Sequence, residues 1–120
     1  MEQERKGYLG LTLAYFGAQT DRLRALRKTD VRAGDYVLVR TQNSRYVLRA
    51  LGDGRFEASG GWFDRKGFSG LRTGVTGCSN GGSIIKIDII VACGLCIEFA
   101  NRLITTPVKS FAVLQKGTDN

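Results

Sequence analysis

The stretch DYVLVRTQNSRYVLRALGDGRFEAS, residues 35–59, decides the fold. From Asp35 onward Val37, Val39 and Thr41 share one side and Leu38, Arg40 and Gln42 the other, which is the period of a half-buried strand. Asn43-Ser44 offers a tight turn, and Arg45 to Leu51 returns as a second strand. Asp53-Gly54 then supplies the two positive-φ positions of a type I′ hairpin, so Arg55 to Ser59 becomes a third strand. A three-stranded antiparallel meander follows.

Working outward, Gly60 to Gly74 reads as irregular, with a short strand through Phe68 to Thr73. Gly77 to Ser83 reads as a glycine-serine loop before a strand over Ser83 to Val91, where Ile85, Ile87, Ile89 and Val91 form one apolar face. That pattern suits a central strand or a contact between subunits. Leu95 to Phe99, Leu103 to Thr106 and Val108 to Leu114 complete the set, with Asn101-Arg102 as a hairpin turn. Pro107 has no N–H for a ladder and belongs at the break between the last two strands. About seven short strands joined by glycine turns predict an all-β fold, a small antiparallel β-barrel or sandwich.

The boundaries that follow are an N-terminal extension over residues 1–33, one β-barrel domain over 34–116 and a short tail over 117–120. In the extension Leu9, Leu13, Phe16, Leu23 and Leu26 lie at near-helical spacing, and Thr20-Asp21 is placed to cap a helix through Arg22 to Lys28. Gly17 argues against one continuous helix.

Eighteen Lys and Arg against eleven Asp and Glu give a formal net charge of +7. Such a balance draws anionic partners, nucleic acid among them, or simply keeps a solvated surface soluble. The charge is spread along the chain, with no basic arm. Cys78, Cys93 and Cys96 are odd in number, no secretory signal or membrane-length apolar run is evident, and a reduced, cytoplasmic setting is expected.

Histidine is absent, which closes Ser-His-Asp and Cys-His catalysis and the usual zinc sites; no catalytic residue, metal site or cofactor is expected. Cys93-Gly94-Leu95-Cys96 has C-x-x-C spacing but sits in an apolar, strand-like run, so its sulfurs would face opposite ways and serve as small buried hydrophobes. Asp88 and Glu98 are isolated carboxylates. Two stretches remain as candidate binding sites. Trp62, Phe63 and Phe68 interleaved with Arg65, Lys66 and Arg72 are the types that stack on bases and neutralise phosphates in single-strand binders; the plainer reading folds the aromatics back over a barrel end. Ser79, Asn80, Gly81, Gly82 and Ser83, with Lys86, would form an anion-binding concavity or simply turn the chain. Gly77 and Gly82 have the spacing of a phosphate loop, but Ser83 stands where the lysine belongs and a strand follows where a helix should.

Asn43-Ser44-Arg45-Tyr46, Gly60-Gly61-Trp62-Phe63, Gly77 to Lys86 and Thr105 to Ser110 together resemble a family of small, uncharacterised bacterial all-β proteins, over about Val37 to Val113. The resemblance implies a cytoplasmic bacterial protein and carries over no catalytic residue. The expected function is a non-catalytic interaction or binding module, with self-association through the Ile84 to Val91 strand. The alternatives are single-stranded nucleic-acid binding at the Trp62 segment and an anion- or nucleotide-binding enzyme at the glycine-serine loop.

Overall fold

The computed structural model describes residues 25–81 and 85–115. Among them lie nine strands: β1 Ala25–Arg27, β2 Tyr36–Thr41, β3 Arg45–Gly52, β4 Arg55–Gly60, β5 Leu71–Ser79, β6 Ile85–Lys86, β7 Ile89–Ala92, β8 Cys96–Phe99 and β9 Val108–Leu114. A 3-10 turn covers Lys28–Asp30, and one short helix, α1, covers Gly61–Arg65. Every strand pairing is antiparallel. The main sheet runs β6-β5-β4-β3-β2-β9, with β8 also on β5, and β1 and β7 make a separate pair. The Gly94 N–H donates to the Val108 carbonyl at 2.8 Å and the Val108 N–H to the Leu95 carbonyl at 2.9 Å, so the start of β9 is tied to the turn ahead of β8. The fold is all-β, a curled half-barrel.

The meander forms as its alternation predicts. Val37 pairs with Leu48, Val39 with Tyr46, Leu48 with Ala58 and Ala50 with Phe56. These residues point inward, where Val37, Leu48, Ala58 and Phe111 are fully buried. Asp53 and Gly54 take φ of 56° and 75°, the positive values that a type I′ turn requires. The core is finished by an aromatic cluster in which Phe63 meets Phe99 at 5.2 Å and Tyr46 at 6.1 Å, both edge to face.

Several elements differ from the sequence reading. β2 is buried on both sides over Val37, Leu38 and Val39, where the expected alternation leaves Leu38 on the open face; the strand lies between β3 and β9, with Leu38 opposite Val47 and Ala112. The first turn falls at Gln42-Asn43, since Thr41 and Ser44 hydrogen-bond to one another across it. The segment after Gly60 is ordered: α1 opens it, and β5 runs far beyond Thr73, through Gly74, Gly77, Cys78 and Ser79. Gly77 is needed there by close approach, as a Cβ would lie 2.6 Å from the Lys86 carbonyl oxygen.

The isoleucine run is two strands, broken by a turn at Ile87 and Asp88. β6 pairs with β5 and β7 with β1, so Ile89, Ile90, Val91 and Ala92 are buried while Ile85 and Ile87 stay exposed. Leu103 to Thr106 contributes one bridge, Ile104 to Glu98, because the buried Thr105 hydroxyl instead accepts from the Ile97 N–H at 3.0 Å. Cys93 and Gly94 form a turn between β7 and β8, with Gly94 at φ 90°. The helix expected through Lys28 is replaced over Ala25–Arg27 by β1, whose Leu26 is buried opposite Val91; long-range pairing overrides local leucine spacing. Leu9, Leu13, Phe16 and Leu23 lie outside the described residues.

Cys78, Cys93 and Cys96 are free thiols. The Cys78 thiol donates to the Ile90 carbonyl at 3.3 Å, and burial pushes its pKa up to about 12. Burial, and then the charge of Glu98, raise Cys96 as well. No helix among the described residues is long and apolar enough to cross a membrane.

Candidate functional site

Two chain turns about twenty residues apart meet at one end of β3. The β2–β3 turn brings Arg40 to Arg45, and α1 brings Gly60 to Arg65; between them lies an open groove of about 620 Å³. Arg40 and Arg45 sit directly opposite in the β2–β3 register. Like charges so placed repel and weaken the pair. Arg40 Nε donates to Ser110 Oγ at 3.2 Å and Arg65 Nη1 to Ser44 Oγ at 3.4 Å, so the guanidiniums are positioned by neutral hydroxyls. The groove's carboxylate, Asp64, already accepts from the Gly60 N–H at 2.9 Å. Among the described residues both ion pairs fall on Glu57, to Arg49 at 2.8 Å and to Arg72 at 3.3 Å. The hydrogen bond from Arg49 is the main reason that the Glu57 carboxyl is held below the usual range.

The groove owes its shape to two glycines. Gly60 has φ 89° and a Cβ there would overlap the Arg45 carbonyl oxygen; Gly61 has φ 42° and its Cβ would lie 2.5 Å from Tyr46 Cζ. Only glycine lets α1 start against β3 while the Tyr46 ring stays packed beneath it. The sequences NSRY and GGWF are therefore parts of one construction, the β2–β3 turn and α1 facing each other.

The aromatic-basic set divides. Phe63 is fully buried, so it packs the core and has no face for a base. The remaining aromatics form a platform: Trp62 and Phe68 stack with centroids 5.7 Å apart and planes 23° apart, and Phe68 keeps 49% of its surface exposed. Trp62 is braced from the other direction by the Phe63 ring at 5.2 Å. The Phe68 N–H donates to the Phe63 carbonyl at 2.7 Å and the Gly70 N–H to the Ala58 carbonyl at 2.8 Å, which pins the segment to α1 and β4. Arg65 and Lys66 are exposed at the end of α1. Arg72 is engaged by Glu57, leaving its side chain largely exposed.

Of the glycine-serine stretch, the structure describes Ser79, Asn80 and Gly81, with Lys86 beyond it. Ser79 closes β5, buried, and its hydroxyl accepts from the Gly81 N–H at 3.3 Å, a local turn bond. Asn80 and Gly81 are exposed, Lys86 pairs with Cys78 in β6, and Gly82 and Ser83 lie outside the described residues. No group of His, Cys, Asp or Glu among the described residues could hold a metal ion.

Arg40 and Arg45 escaped the sequence reading because each looks like an ordinary solvated charge at a strand end. The available signal was their symmetrical distance from the Gln42-Asn43 turn, which makes them cross-strand partners. Neither a protein-family model, nor a curated protein, nor a solved structure matches the chain.

Proposed function

We propose that the chain is a non-catalytic binding module for single-stranded nucleic acid. Phosphates lie against Arg40, Arg45 and Arg65 in the groove, and a base stacks on the open face of Phe68. The observation that carries the reading is the opposed Arg40–Arg45 pair, a repulsive arrangement that a bound anion would relieve. The Trp62–Phe68 stack favours a nucleic acid over a simple anion, since Arg65 and Trp62 belong to the same five-residue helix. A cytoplasmic, bacterial setting, as the family resemblance implies, belongs to the same proposal and agrees with three free thiols. Self-association is proposed at the β6 hairpin, where Ile85 and Ile87 are 41% and 66% exposed. Sedimentation of the Ile87→Lys variant tests that part.

The main test is anisotropy of a labelled oligothymidylate across salt. Three released counterions on a single strand give a log–log slope of about −2, hence a loss of about twentyfold between roughly 50 and 200 mM salt. Arg45→Gln and Arg65→Gln should each make the slope shallower by about 0.7. Phe68→Ala should weaken binding by about 1–3 kcal/mol at unchanged slope. A slope indifferent to both arginine substitutions removes the proposal.

A further inference from the structure

The outer face of the sheet carries an apolar row that its described neighbours do not account for. Leu38 stands between Val47 on β3 and Ala112 on β9; the row on one side is Tyr36, Arg49 and Leu114, and on the other Arg40, Arg45 and Ser110. Arg40 Nε reaches Ser110 Oγ along that face, opposite to the one that carries Val37, Val39 and Phe111. Phe63 of α1 and Phe99 of β8 meet Tyr46 on the inner side, not here. Nevertheless Leu38 is 2% exposed, Ala112 0% and Ser110 3%. An antiparallel sheet with one bare face leaves such residues partly wet, and most of all on the strand that ends the sheet. β9 is that strand. Beyond β2 its far edge is tied at Val108 to Gly94 and Leu95, and among the described residues no further strand lies beside residues 110–114. A buried edge of this kind has N–H and C=O groups that must be matched from elsewhere.

Residues 8–16 read YLGLTLAYF. Leu9, Leu11, Leu13 and Tyr15 alternate with Gly10, Thr12 and Ala14, the period of a strand with one large and one small face. Leu11 spoils the helical reading of Leu9, Leu13 and Phe16, since it falls on the opposite side of such a helix. Both faces of the strand pattern suit β9. Phe111 already fills the inner side, where small residues fit beside it, and the outer row calls for hydrocarbon. Because Ala112 is short, a leucine from one side can lean over it and meet Leu38 from the other. The reach is adequate. Ala25 pairs with Ala92, two residues before Gly94, whose N–H bonds the Val108 carbonyl, so the first described residue lies within about 18 Å of the start of β9. Residues 17–24 can span about 26 Å.

We propose that residues 8–16 add to the far edge of β9 as an antiparallel strand, with Leu9, Leu11 and Leu13 completing the outer row over Ala112 and Leu38. The antiparallel sense follows from the entry point, since the chain must return from this strand to Ala25, near the start of β9. The molecule thereby closes its own edge instead of offering it to another copy.

The experiment is nuclear Overhauser spectroscopy on the full chain, isotope-labelled at its leucine and alanine methyls. Cross-peaks should join the Ala112 and Leu38 methyls to those of Leu9, Leu11 or Leu13. In a mixture of differently labelled chains, the contacts should stay within one molecule. Leu11→Asp should abolish them and speed deuterium exchange of the amides in residues 110–114 by at least about tenfold, with the β3–β4 amides unchanged; Leu11→Ile, which keeps the hydrocarbon, should retain both. If Leu11→Asp does not fold, the cross-peaks of the unsubstituted chain decide alone. Their absence, their appearance only between molecules, or unaltered β9 exchange in a folded Leu11→Asp variant overturns the proposal.

Discussion

Gly61→Ala should destabilise the fold by about 2–5 kcal/mol, through two separable effects. The first is backbone strain: at φ 42° an L residue is left-handed, which costs about 1–2 kcal/mol. The second is overlap, since the new Cβ would stand 2.5 Å from Tyr46 Cζ, 2.6 Å from Cε1 and 2.8 Å from the hydroxyl oxygen. Carbon atoms settle at about 3.5–4.0 Å. The ring has nowhere to go: Tyr46 is 4% exposed, with Phe63 at 6.1 Å and Phe99 at 6.3 Å. Overpacking of this kind costs about 1–3 kcal/mol. Gly67→Ala is the matched control, because Gly67 has φ 78° and nothing within 4 Å of its Cβ position, so only the backbone part applies. Urea unfolding of the two variants isolates the overlap by difference. Equal stabilities, within about 0.5 kcal/mol, would refute the claim that Tyr46 is fixed beneath α1.

Phe63→Ala should cost about 3–5 kcal/mol, as loss of a fully buried ring does, whereas the half-exposed Phe68→Ala should change stability by about 1 kcal/mol or less. Chemical denaturation of the pair checks the assignment of one ring to the core and the other to the surface. Arg45→Gln should stabilise the fold at low ionic strength by about 0.2–1 kcal/mol, read by urea unfolding, and the gain should fade in about 1 M salt; a gain unaffected by salt contradicts mutual repulsion with Arg40. Cys78 should resist thiol reagents in the folded protein while the half-buried Cys93 reacts first, and mass mapping of the labelled sites decides it. Because folding raises the Cys78 pKa from 9.0 to about 12, the folded state holds the proton more tightly; that contribution is complete below pH 9 and is lost as pH rises toward 12. Cys78→Ala should flatten this alkaline limb in pH-dependent unfolding.

The meander was legible because alternation and Asp53-Gly54 agree on register, with the turn chemistry fixing which residues oppose. β5 was legible only in part, since Gly74 and Gly77 suppress strand propensity while long-range ladders to β4, β6 and β8 impose the strand regardless. The break at Ile87-Asp88 carries neither glycine nor proline, so an unbroken isoleucine run concealed a reversal of direction. Proximity in sequence suggests the Trp62–Phe68 stack, but burial of Phe63 depends on Tyr46 and Phe99, which are remote. The groove was hidden for the same reason: Arg40, Arg45 and Arg65 converge only when β3 has placed two distant turns together.

Among the described residues β1 spans Ala25–Arg27 and pairs on one side, with β7. So slight a ladder can peel away at far less free energy than global denaturation demands, and its amides should exchange with solvent deuterium well ahead of those in β2 and β3. Lys28, Thr29 and Val31 hang from it. Brief fraying of that fringe would bare Leu26 and Val91 to solvent, with the meander undisturbed.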